Sequence, residues 1–245
     1  MKYPNFNEEK KLYNRGYKIV VGIDEVGKGP LAGPVIACAF CFRKGDRSLA
    51  SIEAKLRKTA KLQGFAKFQV KDSKKLSAKQ REEIYEIFKN NPDVKWGIGR
   101  VSEKVIDKIN ILEATKLAMQ RAIKSLEKNL KNELVQKKCD RTNFAQGSFL
   151  IIDGNFGIDI DIPQKSIIKA DEKVFSCAAA SIVAKVVRDR IMRRYHKKYP
   201  DYGFDKHKGY GTKNHYAALN KYGSCKLHRI SFNLANKLVK KQFLW

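Results

Sequence analysis

The sequence predicts an α/β fold in which a mixed five-stranded sheet is flanked by helices, with a small helical appendage at the C-terminus. Three short apolar runs come early, and strand-like and helix-like segments alternate after them, which is the pattern of a sheet covered by helices. The apolar fraction of 43% over 245 residues is ordinary for a chain that buries a core. We expect one domain over residues 1–198, with the basic segment 199–245 packed on it as part of the same functional unit.

The five strands are placed by their apolar runs. Lys18–Asp24 and Val35–Phe42 read as buried strands, and the segment that joins them is too rich in glycine and proline for regular structure. The other three strands are predicted at Val94–Val101, Phe149–Asp153 and Ser166–Lys169.

Helices fill most of the intervening sequence. Ser77–Gln80 has the form of a capping box, and apolar residues follow it at helical spacing. Further helices are predicted from about Glu103, from about Leu112, and from about Glu172 to Lys197. Two basic or polar stretches, Arg47–Lys71 and Asn132–Gly147, are predicted as a partly helical insertion and a loop, without an assigned function.

The net charge is the most unusual property of the composition. There are 51 Lys and Arg residues against 25 Asp and Glu, which gives a formal charge of +26. Such a charge favours a polyanionic partner through phosphate contacts, although a lysine-rich proteome would also raise it. We expect no membrane association, because no apolar run approaches the roughly 20 residues that span a bilayer and no terminal amphipathic helix is evident.

The cysteines and the N-terminus indicate a cytoplasmic location. Residues 1–18 carry charges and no apolar signal region. The five cysteines are scattered and odd in number, which fits a reducing compartment. Cys38 and Cys41 form a lone C-x-x-C pair within a predicted strand, where residues three apart face opposite sides, so buried thiols are favoured over zinc.

Four acids stand out by their position. Asp24 and Glu25 follow one buried strand, Asp153 ends another, and Asp171 precedes the long helix. Ligand sites of open α/β sheets lie beyond the carboxyl ends of strands, and clustered carboxylates suit Mg²⁺ or Mn²⁺. Singly, Asp171 could be a helix cap and Asp153 could begin a turn, whereas adjacent acids after an apolar strand have no obvious structural use.

The loop after the acidic pair also has chemical meaning. Gly27-Lys28-Gly29 lets backbone N–H groups approach a ligand closely, with a cation between the two glycines. A G-x-G pattern alone could equally be a turn. Pro30 and Pro34 exclude a dinucleotide-binding fingerprint, because the helix of that motif would have to begin there. The sequence also contains no Walker A motif, which argues against an ATPase.

Seven stretches of the chain resemble ribonuclease HII, the bacterial type 2 ribonuclease H, in the order found in that family. They cover nearly all of the chain from Gly22, and the first and fifth are highly specific. They are Gly22–Val35 (GIDEVGKGPLAGPV), Lys71–Ser77 (KDSKKLS), Ile109–Met119 (INILEATKLAM), Ile152–Asn155 (IDGN), Lys169–Arg190 (KADEK, then AAASIVAKVVRDR), His207–Thr212 (HKGYGT) and His228–Phe232 (HRISF).

The resemblance implies the ribonuclease H fold and a function. It places Asp24, Glu25, Asp153 and Asp171 in the family's metal-binding set, which would hold two Mg²⁺ or Mn²⁺ ions in the substrate complex. It implies that Gly27, Lys28 and Gly29 read the ribose 2′-hydroxyl, and that Tyr210 packs on the deoxyribose after an RNA–DNA junction. Without the family, a core or turn tyrosine would be favoured at Tyr210. The implied substrates are RNA–DNA hybrids and duplex DNA with embedded ribonucleotides, cut on the 5′ side to leave 3′-hydroxyl and 5′-phosphate ends.

Lys28 departs from the family pattern, in which arginine is more common at this position. The G-K-G form occurs in the related ribonuclease HIII, which has glutamate as its last acid and an additional N-terminal domain. Here the last acid is Asp171, and only 21 residues precede the motif. Both features favour ribonuclease HII.

The basic C-terminal part of the chain, from Lys165 onward, is the predicted clamp on the phosphate backbone. Lys173 and Ser176 open the long helix, where the helix dipole favours an anion. Lys208 and Lys74 are candidates for phosphate contact, and either could equally be a solvated surface charge. We expect a monomer. The C-terminal Gln242–Trp245 suggests docking to a replication clamp, as in other members of the family, or else the apolar end of a packed helix.

Three other functions fit parts of the sequence. A non-catalytic nucleic-acid-binding protein on the same fold would use the acids only to end strands. Another nuclease or transposase of the superfamily would share the acids but lack the G-K-G and G-Y-G-T stretches, and would cut all-DNA substrates. A basic scaffold for ribosomal RNA explains the charge but not the four acids.

Overall fold

The computed structural model describes residues 4–42, 76–137 and 144–232, with the backbone alone over 132–137. The predicted insertion Arg47–Lys71, the candidate Lys74 and the C-terminal Gln242–Trp245 lie outside the described residues. Among the residues that are described, no helix is long and apolar enough to cross a membrane.

Five strands form one mixed sheet in the order β3-β2-β1-β4-β5. Strand β1 pairs antiparallel with β2 and β2 pairs antiparallel with β3, while β1–β4 and β4–β5 are parallel. The predicted bounds of β2 and β3 are confirmed, whereas β5 begins two residues earlier than predicted. The strands are β1 Ile19–Val26, β2 Val35–Phe42, β3 Val94–Val101, β4 Ser148–Asp153 and β5 Gln164–Ile167.

Seven α-helices lie among the described residues, together with two short 3₁₀ helices at Ala170–Glu172 and Pro200–Tyr202. The first helix was not predicted, since its short, charged sequence carries little apolar pattern. The helices are α1 Asn7–Asn14, α2 Ala78–Lys89, α3 Glu103–Lys137, α4 Phe144–Gly147, α5 Phe175–Lys198, α6 Phe204–His207 and α7 Lys213–Tyr222.

The sheet is covered on both faces. Helices α2 and α5 pack on the face that carries Cys38, and α3 packs on the face that carries Cys41. The two thiols therefore belong to different hydrophobic clusters, as the alternation of side chains along a strand predicts. Gly22 in β1 allows the start of α5 to lie directly on the strand, because a Cβ there would be 2.3 Å from the carbonyl carbon of Ser176.

Helix α3 contains the break that the sequence predicts between Glu103 and Leu112. Asn110 has non-helical angles (φ 65°, ψ 169°), and its side-chain oxygen accepts the N–H groups of Leu112 and Glu113 at 2.9 and 3.1 Å. The side chain thus caps the second part of the helix. The helix then continues to Lys137, and Phe144–Gly147 form α4, so the predicted loop Asn132–Gly147 is wrong at its start and at its end. Residues 132–137 contain no proline or glycine that would end a helix.

The segment after α5 folds back onto the loop between β1 and β2. Leu31 and Ala32 of that loop share a small hydrophobic cluster with Tyr202, Phe204 and Leu227. Ala32 and His228 form an isolated antiparallel bridge. The C-terminal appendage therefore covers the β1–β2 loop, which is the segment that carries the glycine motif.

Candidate active site

Parallel pairing of β1 with β4 brings two of the four predicted acids together. Ile23 is the register partner of Ile152, so Asp24 and Asp153 lie side by side at the carboxyl edge of the sheet. Asp24 is buried within the last part of β1, and Asp153 is the last residue of β4. The site forms where the two neighbouring strands end, as expected for an α/β sheet.

The third acid, Asp171, reaches the same point from the 3₁₀ helix before α5. Asp153 helps to fix this segment, because its Oδ1 accepts the N–H of Ala170 at 2.6 Å. One carboxylate oxygen from each of Asp24, Asp153 and Asp171 lies within 4.8 Å of the other two. Asp24 and Asp171 are both only 4% exposed. This group of three acids, here called the acidic cluster, can hold a cation.

Burial and mutual repulsion act on the central acid of the cluster. Burial raises the pKa of Asp24 well above its usual range, and the negative charges of Glu25 and Asp153 raise this pKa further. A hydrogen bond from Ser181 opposes the rise in the pKa. Without a cation, the cluster is therefore electrostatically unfavourable, and hard oxygen ligands of this kind suit Mg²⁺ or Mn²⁺.

Glu25 does not belong to the acidic cluster in this structure. Its Oε1 lies 2.6 Å from the Nζ of Lys28, and its Oε2 is buried without a hydrogen-bond partner among the described residues. Burial raises the pKa of Glu25, and the Lys28 ammonium opposes that rise in pKa. A buried carboxylate oxygen without a partner is a ligand atom available to a cation near the cluster.

The glycine loop forms the rim of the site beside these acids. Gly27 has a positive φ of 100°, and a Cβ there would meet the Nε of Arg188 at 2.4 Å, so both backbone and space require glycine. The ammonium of Lys28 lies over the ring of Phe156, 4.8 Å from its centroid. The loop is thus fastened to the segment that follows Asp153.

Tyr210 lies on the other side of the glycine loop. Its Cε1 is 4.0 Å from the position of a Cβ on Gly29, and the side chain is 40% exposed. Histidines hold its backbone: His215 Nδ1 lies 2.9 Å from the Tyr210 carbonyl oxygen, and His228 Nε2 lies 3.1 Å from His215 Nε2. The tyrosine ring is therefore presented to solvent from a fixed loop next to Gly29.

Comparison with known proteins identifies the family. A family model described as Ribonuclease HII matches residues 21–235. The chain belongs to the ribonuclease HII family. The ribonuclease HII of Chlamydia caviae is 46% identical over 231 residues, which cover 94% of this chain and 92% of that relative. The family and the enzyme class predicted from the sequence, an endoribonuclease, are therefore confirmed.

Solved structures confirm the predicted fold. The ribonuclease H2 of Pyrococcus horikoshii OT3 matches with a TM-score of 0.62 and 22% identity, over 93% of this chain and all of that chain. The ribonuclease HII of Archaeoglobus fulgidus, solved as a complex with PCNA, matches with a TM-score of 0.58 and 26% identity, over 89% of this chain and 96% of that chain. The chain therefore has the fold of these ribonucleases, and in it a mixed sheet is flanked by helices.

The remaining predicted contacts have different placements. Ser176 is fully buried, and its N–H donates to Glu9 Oε1 at 2.8 Å, while its hydroxyl has no hydrogen-bond partner among the described residues. Lys173 is on the surface with its ammonium 2.7 Å from the Ile168 carbonyl oxygen. Lys208 lies in the Tyr210 loop, half-buried, with its ammonium on the Asp205 carbonyl. A substrate contact by Ser176, Lys173 or Lys208 stays a prediction.

Two buried arginines near the site were missed by sequence reasoning. Arg188 and Arg229 are both fully buried, and their guanidinium groups donate to backbone carbonyls of the β1–β2 loop. Both stand inside stretches that resemble the family, yet a basic residue in a strongly basic chain gives no sign of burial. The carbonyl groups that they bind lie more than 150 positions away in the sequence, so only the fold reveals these contacts.

Proposed function

We propose that this protein hydrolyses the RNA strand of RNA–DNA hybrids and also cuts on the 5′ side of ribonucleotides embedded in duplex DNA, leaving 3′-hydroxyl and 5′-phosphate ends. The observation that carries the proposal is the position of the acidic cluster beside the Gly27–Gly29 loop and Tyr210. Acids that hold metal and groups that distinguish sugars thus share one surface.

The donor set fits divalent cations. Three carboxylate oxygens converge, burial raises the pKa of Asp24, and Glu25 has a buried oxygen without a partner among the described residues. We propose that Asp24, Glu25, Asp153 and Asp171 hold two Mg²⁺ or Mn²⁺ ions when substrate is bound. When bound, these ions supply the positive charge that activates an attacking water and stabilises the departing 3′-oxygen.

The residues of the chain bind and orient the substrate. Backbone amides of the Gly27–Gly29 loop face the ribose, whose 2′-hydroxyl can both donate and accept hydrogen bonds. Tyr210 packs its exposed ring on the sugar across the cut, where a deoxyribose without the 2′-hydroxyl leaves an apolar face. Together these contacts select an RNA–DNA junction. Lys173 and Lys208 contact phosphates on either side.

The test is cleavage of a DNA duplex that contains one ribonucleotide, with the cut mapped by labelled ends. We expect a single cut on the 5′ side of the ribonucleotide in Mg²⁺ or Mn²⁺, and loss of cleavage in EDTA. An all-DNA duplex of the same sequence is the control. Cleavage of that control would favour another nuclease of the superfamily, and binding without any cleavage would favour a non-catalytic protein.

A second candidate interaction is docking to a replication clamp through Gln242–Trp245. It is supported by the complex of the Archaeoglobus fulgidus relative with PCNA and by the glutamine and aromatics at these positions. Titration of the protein against a bacterial clamp, with a Phe243→Ala, Trp245→Ala double variant as the control, tests it. Equal affinity of the parent and the variant would remove this candidate.

A further inference from the structure

Arg229 is fully buried, and its guanidinium group lies over the Phe232 ring, 5.0 Å from the centroid, and donates hydrogen bonds to the loop between β1 and β2. Nη2 donates to the carbonyl oxygen of Gly27 at 2.6 Å, and Nη1 donates to that of Lys28 at 2.9 Å. Nε and Nη2 both donate to the Gly33 carbonyl oxygen, at 3.0 and 2.7 Å. All four hydrogen bonds therefore end on the backbone of the loop between β1 and β2.

The charge of Arg229 is not neutralised by a hydrogen-bonded carboxylate among the described residues. Burial lowers the pKa of Arg229 to about 9, and the positive charge of Arg188 lowers that pKa further. Asp107 and Glu103 raise the pKa from a distance. Burial of a cation mainly on carbonyl dipoles costs free energy, so stability alone is a weak reason for it. The burial of Arg229 is better explained by the loop backbone that its guanidinium group holds in place.

The hydrogen bonds of Arg229 fix the direction of two amides. In a planar trans peptide, the C=O of one residue and the N–H of the next point in opposite directions. Because the carbonyls of Gly27 and Lys28 point at the buried guanidinium, the N–H groups of Lys28 and Gly29 must point away from it. Gly29 lies beside the exposed Tyr210 ring, so these two amides belong to the surface that the proposed function assigns to the substrate.

The turn that carries Arg229 is itself fixed on both sides. Its N–H donates to the Leu31 carbonyl oxygen at 2.9 Å. On the other side, both carboxylate oxygens of Asp107 in α3 accept from the turn: Oδ2 from the Ile230 N–H at 3.0 Å, and Oδ1 from the Ser231 N–H and hydroxyl at 2.9 and 2.6 Å. Arg229 therefore links α3 to the glycine loop: Asp107 of α3 holds the turn, and the guanidinium group on that turn binds the loop.

We propose that Arg229 is a positioning residue that holds the Lys28 and Gly29 amides in the orientation that reads a ribose, so that discrimination between ribose and deoxyribose depends on it. The inference rests on the proposed function, in which the Gly27–Gly29 loop recognises the 2′-hydroxyl. Lysine at this position keeps the positive charge but cannot donate to three carbonyls in one plane.

The test measures binding in an Asp24→Asn background, so that cleavage does not interfere. Dissociation constants are measured in Mg²⁺ for a duplex with one ribonucleotide and for the same duplex in all-DNA form. We expect Arg229→Lys to reduce the preference for the ribonucleotide at least about tenfold, while affinity for the all-DNA duplex changes less than about twofold. Hydrogen exchange of the peptide over residues 27–33 should become faster. Arg190→Lys, which alters a surface ion pair with Glu82, is the matched control and should change neither quantity.

Two results would overturn the inference: an unchanged preference in folded Arg229→Lys, or an equal loss of affinity for both duplexes. If Arg229→Lys does not fold, Asp107→Asn tests the same point from the surface, because it loosens the Ile230–Ser231 turn and keeps the guanidinium. Asp107→Asn should lower the preference in the same direction, and no change in it would also overturn the inference. If the Asp24→Asn parent shows no preference, the proposed function fails and this inference falls with it.

Discussion

Asp24 is buried beside two other acids, and its side chain has conflicting effects on stability and activity. Burial and the neighbouring charges raise the pKa of Asp24, which means that its ionised form destabilises the protein when no cation is present. The same charge is what binds a cation. An uncharged amide of the same shape should separate these two effects.

We predict that Asp24→Asn lowers cleavage by about three orders of magnitude or more, because a metal ligand contributes several kcal/mol to the transition state. Thermal unfolding in EDTA should show equal or higher stability than the parent, since the repulsion with Asp153 is removed. Binding to a hybrid duplex should be largely retained. Parallel loss of binding, activity and melting temperature would instead indicate a folding defect.

Tyr210 presents its ring to solvent next to Gly29, and we predict that the ring, not the hydroxyl, carries its role. Tyr210→Ala should lower kcat/KM on a single-ribonucleotide duplex by about 5- to 150-fold, the range of a lost stacking contact of about 1–3 kcal/mol. Tyr210→Phe should stay near the parent value. Tyr222→Ala removes a tyrosine of similar exposure, at 46%, and is the control. A loss in Tyr210→Phe as large as in Tyr210→Ala would assign the role to the hydroxyl.

At the scale of single residues, the acids were predictable and their partners were not. Asp24 and Asp153 follow apolar runs, and the carboxyl ends of neighbouring parallel strands must meet. The ion pair of Glu25 with Lys28 depends on side-chain directions within one loop. The bonds of Arg229 join residues about 200 positions apart in sequence, which no local pattern contains.

Among the described elements, sequence patterns missed α1 and the short α4, and the role of α1 depends on a buried acid. Glu9 is fully buried, and its carboxylate accepts the Ser176 N–H at the start of α5. Apolar periodicity predicts helices from what they bury, and a buried carboxylate gives the opposite signal. Strands β2 and β3, by contrast, are continuous apolar or alternating runs, and their bounds followed directly from the sequence.

We predict a pH-dependent effect of Glu9→Gln. Burial raises the pKa of Glu9 from 4.5 to about 7, so the folded state binds more protons than the unfolded state between these values. The contribution of Glu9 to stability is therefore full below pH 4.5 and is lost as pH rises through 7. Glutamine does not ionise. The free energy of unfolding of the variant should thus rise relative to the parent across this window, by up to about 3 kcal/mol.

Chemical denaturation at a series of pH values measures this difference. The adjacent Glu8→Gln is the control: a hydrogen bond with Lys11 lowers the pKa of Glu8, so that variant should show no rise with pH. If the difference in the free energy of unfolding between Glu9→Gln and the parent does not change with pH, the ionised carboxylate of Glu9 does not destabilise the start of α5.

For the whole molecule, the charge of +26 was evident from composition, while its arrangement required the fold. The sheet order places the acidic cluster at the junction of β1 and β4, so a small group of negative charges lies within a strongly positive chain. Long-range attraction brings a polyanion to such a protein, and in the proposed function the cluster with its cations then acts on one phosphate. Affinity and catalysis should therefore respond differently to salt.

We predict that the dissociation constant for a hybrid duplex rises steeply with salt, as a power of its concentration set by the number of phosphates contacted. The rate of cleavage by saturated enzyme should change little, because the chemical step depends on buried carboxylates that salt screens weakly. Lys173→Ala should reduce the slope of log Kd against log salt by about 1. Lys131 is exposed near the far end of α3 and forms an ion pair with Glu127, so Lys131→Ala should leave the slope unchanged. An equal reduction in both variants would mean that affinity reflects total charge and not a defined phosphate contact beside the acidic cluster.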